Sequence, residues 1–401
     1  MNAAGEILPT PVAGESGASV GRPAPERLPQ LEDLPDVAGK RVLVRCDFNV
    51  ALRRGKVVND LRIRAATPTL QWLVRREASV TVCTHLGRPG GRVDPRLSVE
   101  PVRRVLRELV PDVRLLENLR FSMGEEANDP AFVDTLVAGH DLFVNDAFAT
   151  SHRRHASVLG PPTRLRSAAG RLLSREVEVI TALRGPARRP LVAVIGGLPR
   201  PELSATIESL SRFADTVIVG GAVAFEAMDA LAELAGRPRD PSWSRSAELS
   251  PAPWSDLTSS GRVMLPVDVV TAASSRSERV STFGSATSGS RPVDIGHRSA
   301  IRFAEIISRA GTVFWDGPMG PPGDDRFPAG TRAVAEAVAS SPAFTVVSGS
   351  ETVEALDRLG LTAFVDHVST GGAATLELMR EGDLPGIRAL RDSATRTVPD
   401  G

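Results

Sequence analysis

Two polar side chains, Asp47 and Asn49, close the run 41–46, four of whose residues are apolar, and the period of two in an extended chain puts both on one side of the strand end. Three later runs of strand character end in the same way. Residues 79–84 lead into His85 and Arg88, 113–116 into Arg120, and 142–144 into His152, Arg153 and His155. A single arginine is usually a solvated surface charge, and Asp-x-Asn at a strand end is often only a turn that satisfies backbone amides. Four strands out of four ending in such groups is a stronger signal. Guanidinium and imidazole donors gathered at one sheet edge suit a small, multiply anionic ligand, because arginine grips phosphate and carboxylate oxygens in pairs. In an open α/β sheet the ligand crevice lies beyond the carboxyl ends of the strands, where these residues stand.

The elements that must position them follow from periodicity. Residues 59–78 repeat apolar positions at helical spacing, with Asn59 or Asp60 as N-cap, which places Arg62 in the first turn. Helices are expected over 97–110, 129–138 and 167–183. Gly185-Pro186 and Pro190 break the last of these, and a domain boundary is expected there. From Leu191 the strand–helix rhythm resumes, with strands expected at 191–195, 216–219, 262–265, 312–315, 343–347 and 362–365. Their ends carry Gly196-Gly197, Gly220-Gly221, Gly317-Pro318, Gly349 before Glu351-Thr352, and Gly371-Gly372. Any strand-to-helix turn tolerates glycine, but the repetition favours a nucleotide or polyphosphate cradle of backbone amides at helix N-termini.

At 401 residues the chain suggests two domains, and its 48 basic and 48 acidic residues cancel, so no global field argues for nucleic acid or a membrane surface. Cys46 and Cys83 each fall inside an expected strand, as buried thiols of a reducing compartment do. Residues 1–35, rich in Ala, Gly, Pro, Ser and Glu, carry no secretory pattern and are expected to be a disordered extension; with no window apolar enough to span a membrane, the expected location is the cytoplasm. Lysine occurs only at Lys40 and Lys56.

From about Arg41 to Arg388 the ordered motifs RCDFNV, DLRIRAA, THLGRP, LLENLRF, VNDAFATSHRRHAS, PVDVV, DIGHRSA, WDGPMG and VSTGGAATLE make the chain resemble phosphoglycerate kinase. The resemblance implies an α/β fold of two Rossmann-like domains with parallel sheets facing across a cleft. It divides the chain into a 3-phosphoglycerate-binding domain at 36–184, a nucleotide-binding-type domain at 185–375, and a segment at 376–401 returning to the first. It further implies a monomer that moves a phosphoryl group between ATP and the carboxylate of 3-phosphoglycerate, with Mg2+. Carried over by motif, Asp47, Asn49, Arg62, His85, Arg88, Arg120 and Arg153 hold the acid, and Arg62, Gly371 and Gly372 serve catalysis. Gly196, Gly197, Gly220, Gly221, Gly317, Pro318, Gly349, Glu351 and Thr352 hold the nucleotide, with Glu351 at the metal.

The nucleotide half departs from that pattern. Where the family carries Gly-Gly-Ala-Lys-Val-Ser-Asp-Lys, this chain reads Gly196-Gly197-Leu198-Pro199-Arg200-Pro201-Glu202-Leu203, so both lysines are replaced and Arg200 is the one nearby cation that could compensate. A glutamate implied for the nucleotide ribose aligns with Gly323, the metal-associated aspartate is Glu351, and the third glycine of the STGGG turn is Ala373. Three functions therefore stand open: the kinase weakened at its nucleotide site, a pseudokinase that senses 3-phosphoglycerate, and a kinase for a different phosphorylated acid.

Overall fold

The computed structural model describes residues 27–199, 201–236, 251–272, 278–282, 291–321 and 329–395. In the first half, strands β1 (Arg41–Cys46), the short hairpin β2 (Leu52–Arg53) and β3 (Lys56–Val57), β4 (Ser79–Cys83), β5 (Val113–Leu115), β6 (Leu142–Asp146) and β7 (Arg166–Ala169) alternate with helices α1 (Leu61–Val74), α2 (Glu100–Leu109), α3 (Met123–Glu126), α4 (Pro130–Val137), α5 (Ala156–Leu159) and α6 (Arg171–Arg184). The parallel sheet runs β5-β4-β1-β6-β7, with Val42 beside both Val80 and Leu142. Both faces of β1 and β6 are covered, which is why these strands read as continuous apolar runs rather than alternating ones.

The second half holds β8 (Leu191–Ile195), β9 (Thr216–Val219), β10 (Val263–Met264), β11 (Asp268–Ala272), β12 (Glu278–Thr282), β13 (Arg291–Ile295), β14 (Thr312–Asp316), β15 (Phe344–Ser348) and β16 (His367–Val368). Its helices are α7 (Pro201–Ser211), α8 (Gly221–Leu234), α9 (Pro251–Ser259), α10 (His297–Ser308), α11 (Ala329–Ser340), α12 (Ser350–Arg358), α13 (Ala373–Glu381) and α14 (Pro385–Ala394). Its parallel sheet runs β10-β9-β8-β14-β15-β16, and β12-β11-β13 form a small antiparallel sheet beside it. The two parallel sheets face each other across a cleft, and one buried cluster crosses between the halves, joining Phe148 and Ile180 to Leu203 and Phe314 and to Leu376 and Ile387 of the final helices.

Several expectations need correction. The helix expected over 167–183 begins only at Arg171; its first three residues belong to β7, which pairs with β6 through Phe143 and Ser167. Small residues such as Ser167, Ala168 and Ala169 fit either element, and here the open sheet edge decides. The strand expected at 362–365 is a 3-10 turn, Thr362–Phe364, with Phe364 exposed, while the strand is His367–Val368. The antiparallel sheet of β11 to β13 was not anticipated from the pattern. Of the extension expected at 1–35, residues 1–26 lie outside the described residues, while the rest is ordered: Leu28 and Leu31 are buried, Ala169 N donates to Pro29 O at 2.8 Å, and Arg171 pairs with Glu32. Cys46 and Cys83 are free and fully buried, as expected.

Candidate functional site

At the carboxyl end of the first sheet the seven expected residues come together. Asp47 leaves β1 and forms an ion pair with Arg62 from the first turn of α1. Leu61 N donates to Asn59 Oδ1 at 2.8 Å, so Asn59 rather than Asp60 supplies the side-chain acceptor at the start of that helix. Gly87 N donates to Asn49 Oδ1 at 2.9 Å, which ties the β4 turn carrying His85 and Arg88 to the end of β1. Arg120, 2 % exposed, donates from Nη1 to Gly87 O at 2.7 Å and pairs through Nε with Glu126 at 3.2 Å.

The electrostatics are those of a pocket built for an anion. Burial pulls the Asp47 carboxyl upward, but Arg62, His85 and Arg45 outweigh it and hold the group below the usual carboxylate range. Burial, followed by the neighbouring guanidiniums, lowers Arg153 and Arg120 from the ordinary arginine value. Arginine does not give up its proton, so these shifts mark crowded positive charge that an anion would relieve. Among the described residues the side chains of Arg88 and Arg153 make no hydrogen bond or ion pair with the protein. His85 is 1 % exposed, its pKa well below the usual value because burial disfavours the charged ring, and among the described residues its Nε2 has no partner. A buried donor left open costs about 1–3 kcal/mol, which a bound anion would recover.

One arginine that sequence reasoning passed over lies at the centre. Arg45, 1 % exposed, points the same way from β1 as Asp47 and donates to Ser157 Oγ at 2.8 Å, to the Cys46 carbonyl, and to His85 Nδ1 at 3.2 Å. A charged residue inside an otherwise apolar strand was the available signal. Glu125 and Ser157, which complete this network, carried none.

In the second half, Gly196 N donates to Asp316 O at 2.8 Å and Gly197 N to Pro318 O at 2.8 Å. Gly317 N donates to Thr352 Oγ1 at 2.7 Å, so the ends of β8, β14 and β15 form one assembly. Most of its glycines answer to each other rather than to a ligand. A Cβ on Gly196 would lie 2.4 Å from Pro318 O, one on Gly221 2.5 Å from Gly197 N, one on Gly317 2.3 Å from Gly196 C, and one on Gly220 2.2 Å from Met319 Sδ. Gly349, by contrast, meets only the Thr352 and Asp316 side chains, at 3.1 and 3.2 Å. Gly372, with φ +54, opens onto free space at the start of α13, whereas Gly371 is pressed against Phe148 of the first half. Beside this assembly Leu198, Pro199, Phe225, Glu226, Arg291 and Val293 line a cavity whose largely apolar walls suit a flat base.

The lysine-aligned position Leu203 is 2 % exposed and packs into the core with Leu376. Arg200 and Gly323 lie outside the described residues. Glu351 is exposed in the first turn of α12, and the buried Asp316 carboxylate lies against Gly349 two residues earlier. Among the described residues no group of three or more His, Cys, Asp or Glu gathers that could hold a metal ion. One or two carboxylates suit Mg2+, which keeps waters and is shared with substrate phosphates.

The halves also meet where α6 approaches the end of β16. Glu176 of α6, fully buried, accepts from Thr370 N at 2.6 Å, Thr370 Oγ1 at 2.8 Å and His367 Nε2 at 3.0 Å. His152, lowered to about 4 by burial and by Arg153, shares a second cavity with Leu203, Ala373 and Arg380.

A family profile for phosphoglycerate kinase matches residues 31–114 and 110–382. A phosphoglycerate kinase of Salinispora tropica is 42% identical over 401 aligned residues, covering 90% of this chain and 98% of that protein. One of Rubrobacter xylanophilus is 39% identical over 386, covering 88% and 96%. The solved phosphoglycerate kinase of Coxiella burnetii superposes with a TM-score of 0.80 at 32% identity, covering 92% of this chain and all of that one. The chain belongs to the phosphoglycerate kinase family.

Proposed function

We propose that the chain transfers a phosphoryl group between ATP and the carboxylate of 3-phosphoglycerate, with Mg2+. The observation that carries this reading is the pocket of open donors, His85 Nε2, Arg88 and Arg153, at the strand ends of a chain with this family membership. Asp47, Asn49, His85, Arg88, Arg120 and Arg153 bind and orient the acid, and Arg62 steadies the charge that builds on the moving group. Positioning and charge account for most of phosphoryl transfer, so a side chain at the cleft edge is the right kind of group. The turns at Gly196, Gly197, Gly220, Gly221, Gly317, Pro318, Gly349 and Thr352 receive the nucleotide, Mg2+ sits at Glu351, and Gly371 and Gly372 open α13 toward the transferred group. Residues 36–184 and 185–375 act as the two closing bodies, 376–401 belongs with the first, and the protein works as a cytoplasmic monomer.

A second reading, a 3-phosphoglycerate sensor without turnover, is favoured by Pro199 and by the burial of Leu203, which leave the nucleotide side without lysine. A coupled assay of ATP-dependent 3-phosphoglycerate phosphorylation decides between them. Turnover by the wild type that disappears in Arg62→Ala establishes the kinase. No turnover by the wild type, with recovery in Pro199→Lys/Leu203→Lys, establishes the sensor; binding of neither acid nor nucleotide refutes both.

A further inference from the structure

His85 Nε2 is buried and has no partner among the described residues, and which ring nitrogen carries the proton decides whether it can donate to a bound anion. The groups behind the ring settle this. Arg45 approaches His85 Nδ1 at 3.2 Å, and a guanidinium has only donors, so Nδ1 accepts and the proton of the neutral ring resides on Nε2. The competing acceptor for an Nδ1 proton, Asp47 Oδ1, stands farther off at 3.8 Å. Arg45 is itself held from behind: its Nε donates to Ser157 Oγ at 2.8 Å, and that hydroxyl donates to Glu125 Oε1 at 2.6 Å. Ser157 N donates to the other Glu125 oxygen at 3.0 Å, and the carboxylate is fully buried. The charged and titratable groups facing Glu125 are His155, at 3.8 Å from Oε1, with Arg120 and Cys83; those facing His85 are Asp47, Arg45, Arg120 and Arg153.

We propose that Glu125, acting through Ser157 and Arg45, is a positioning residue that fixes His85 as the Nε2-protonated tautomer, turned as a donor toward the bound acid. This rests on the proposed acid-binding role of the pocket. The link between α3 and the end of β1 makes the donor pattern of the pocket depend on a carboxylate that never touches the ligand. Ser157→Ala cuts the relay while leaving Glu125 the Ser157 backbone N–H.

The test is a long-range 1H–15N correlation spectrum of the ligand-free, 15N-labelled protein, with the His85 signals assigned by their loss in His85→Gln, together with calorimetric titration of 3-phosphoglycerate. The wild type is expected to show an Nε2-protonated His85. Ser157→Ala is expected to show a tautomer mixture and to bind the acid about tenfold more weakly, the equivalent of one hydrogen bond. A His85 that stays Nε2-protonated in Ser157→Ala overturns the proposal whatever happens to affinity, and so does a changed tautomer with unchanged affinity. Should Ser157→Ala fail to fold, Glu125→Gln carries the same two readouts. A wild type that binds no 3-phosphoglycerate refutes the proposed function, while the tautomer spectrum still decides the role of Glu125.

Discussion

Replacing Arg153 by methionine keeps the packing of the side-chain stem and removes a half-buried guanidinium that pairs with nothing among the described residues. Its burial and its repulsion from Arg88 and Arg45 oppose folding, so Arg153→Met should unfold no earlier than the wild type when no ligand is present. Binding should suffer. One charge-assisted contact is worth about 2 kcal/mol, or a roughly 30-fold weaker dissociation constant. At an acid concentration 100 times the wild-type constant, the ligand stabilises the wild type by about 2.7 kcal/mol and the variant, at roughly three times its own constant, by about 0.9 kcal/mol. For a chain of this length unfolding as one unit each kcal/mol moves the midpoint by about 1–2 °C. Scanning calorimetry with and without 3-phosphoglycerate should therefore show a ligand shift of about 3–5 °C shrinking to about 1–2 °C. A full shift in the variant, or a large loss of stability without ligand, would show that the guanidinium is structural and refute the reasoning.

Asp146 is fully buried, and burial pushes its pKa up to about 6; Asp294, also buried, is pushed up to about 6. A carboxyl raised in the fold favours the folded state below its unfolded pKa and loses that contribution as pH rises from about 4 through 6. Chemical unfolding at several pH values should show this decline, and Asp146→Asn, which keeps an acceptor for Leu173 N, should flatten part of it, by on the order of 2–3 kcal/mol. Glu176→Gln strips the charge from the three-bond junction with His367 and Thr370 and should cost about 2–4 kcal/mol and separate the thermal unfolding of the two halves into distinct transitions. With burial pushing Cys83 up to about 12 and Cys46 well above its ordinary value, neither thiol should react with a disulfide reagent until the chain unfolds.

Strands buried on both faces announced themselves, because the middles of β1, β4, β6, β8 and β14 had to be largely apolar. The acid pocket was legible for the same reason: polar groups that end such strands have nowhere else to point. What escaped lay where sequence is ambiguous or contacts are distant. Ser167-Ala168-Ala169 carries too little side chain to declare itself, and the antiparallel strands owe their shape to pairing across long intervals. Arg45 was visible as a lone charge in an apolar strand, yet its partners Ser157 and Glu125 are 112 and 80 residues further along the chain. The glycines were half understood. Gly372 opens onto space as a ligand turn should, whereas Gly196, Gly221 and Gly317 are needed because three turns press backbone on backbone.

The last helix changes how the molecule must come into being. Gly386 N donates to Ser151 O at 2.8 Å, and a Cβ at that glycine would sit 2.8 Å from Val158, so α14 is seated tightly on a surface made more than two hundred residues earlier. A chain emerging from the ribosome presents the whole of the second sheet before that helix exists. The first half then waits with its apolar seat for Ile387 and Leu390 open, while the second half closes its own core. Ser151 stands two residues from Arg153, so the seat of α14 and the acid pocket share one loop. A product truncated before Pro385 therefore lacks the seat's cover beside its anion site.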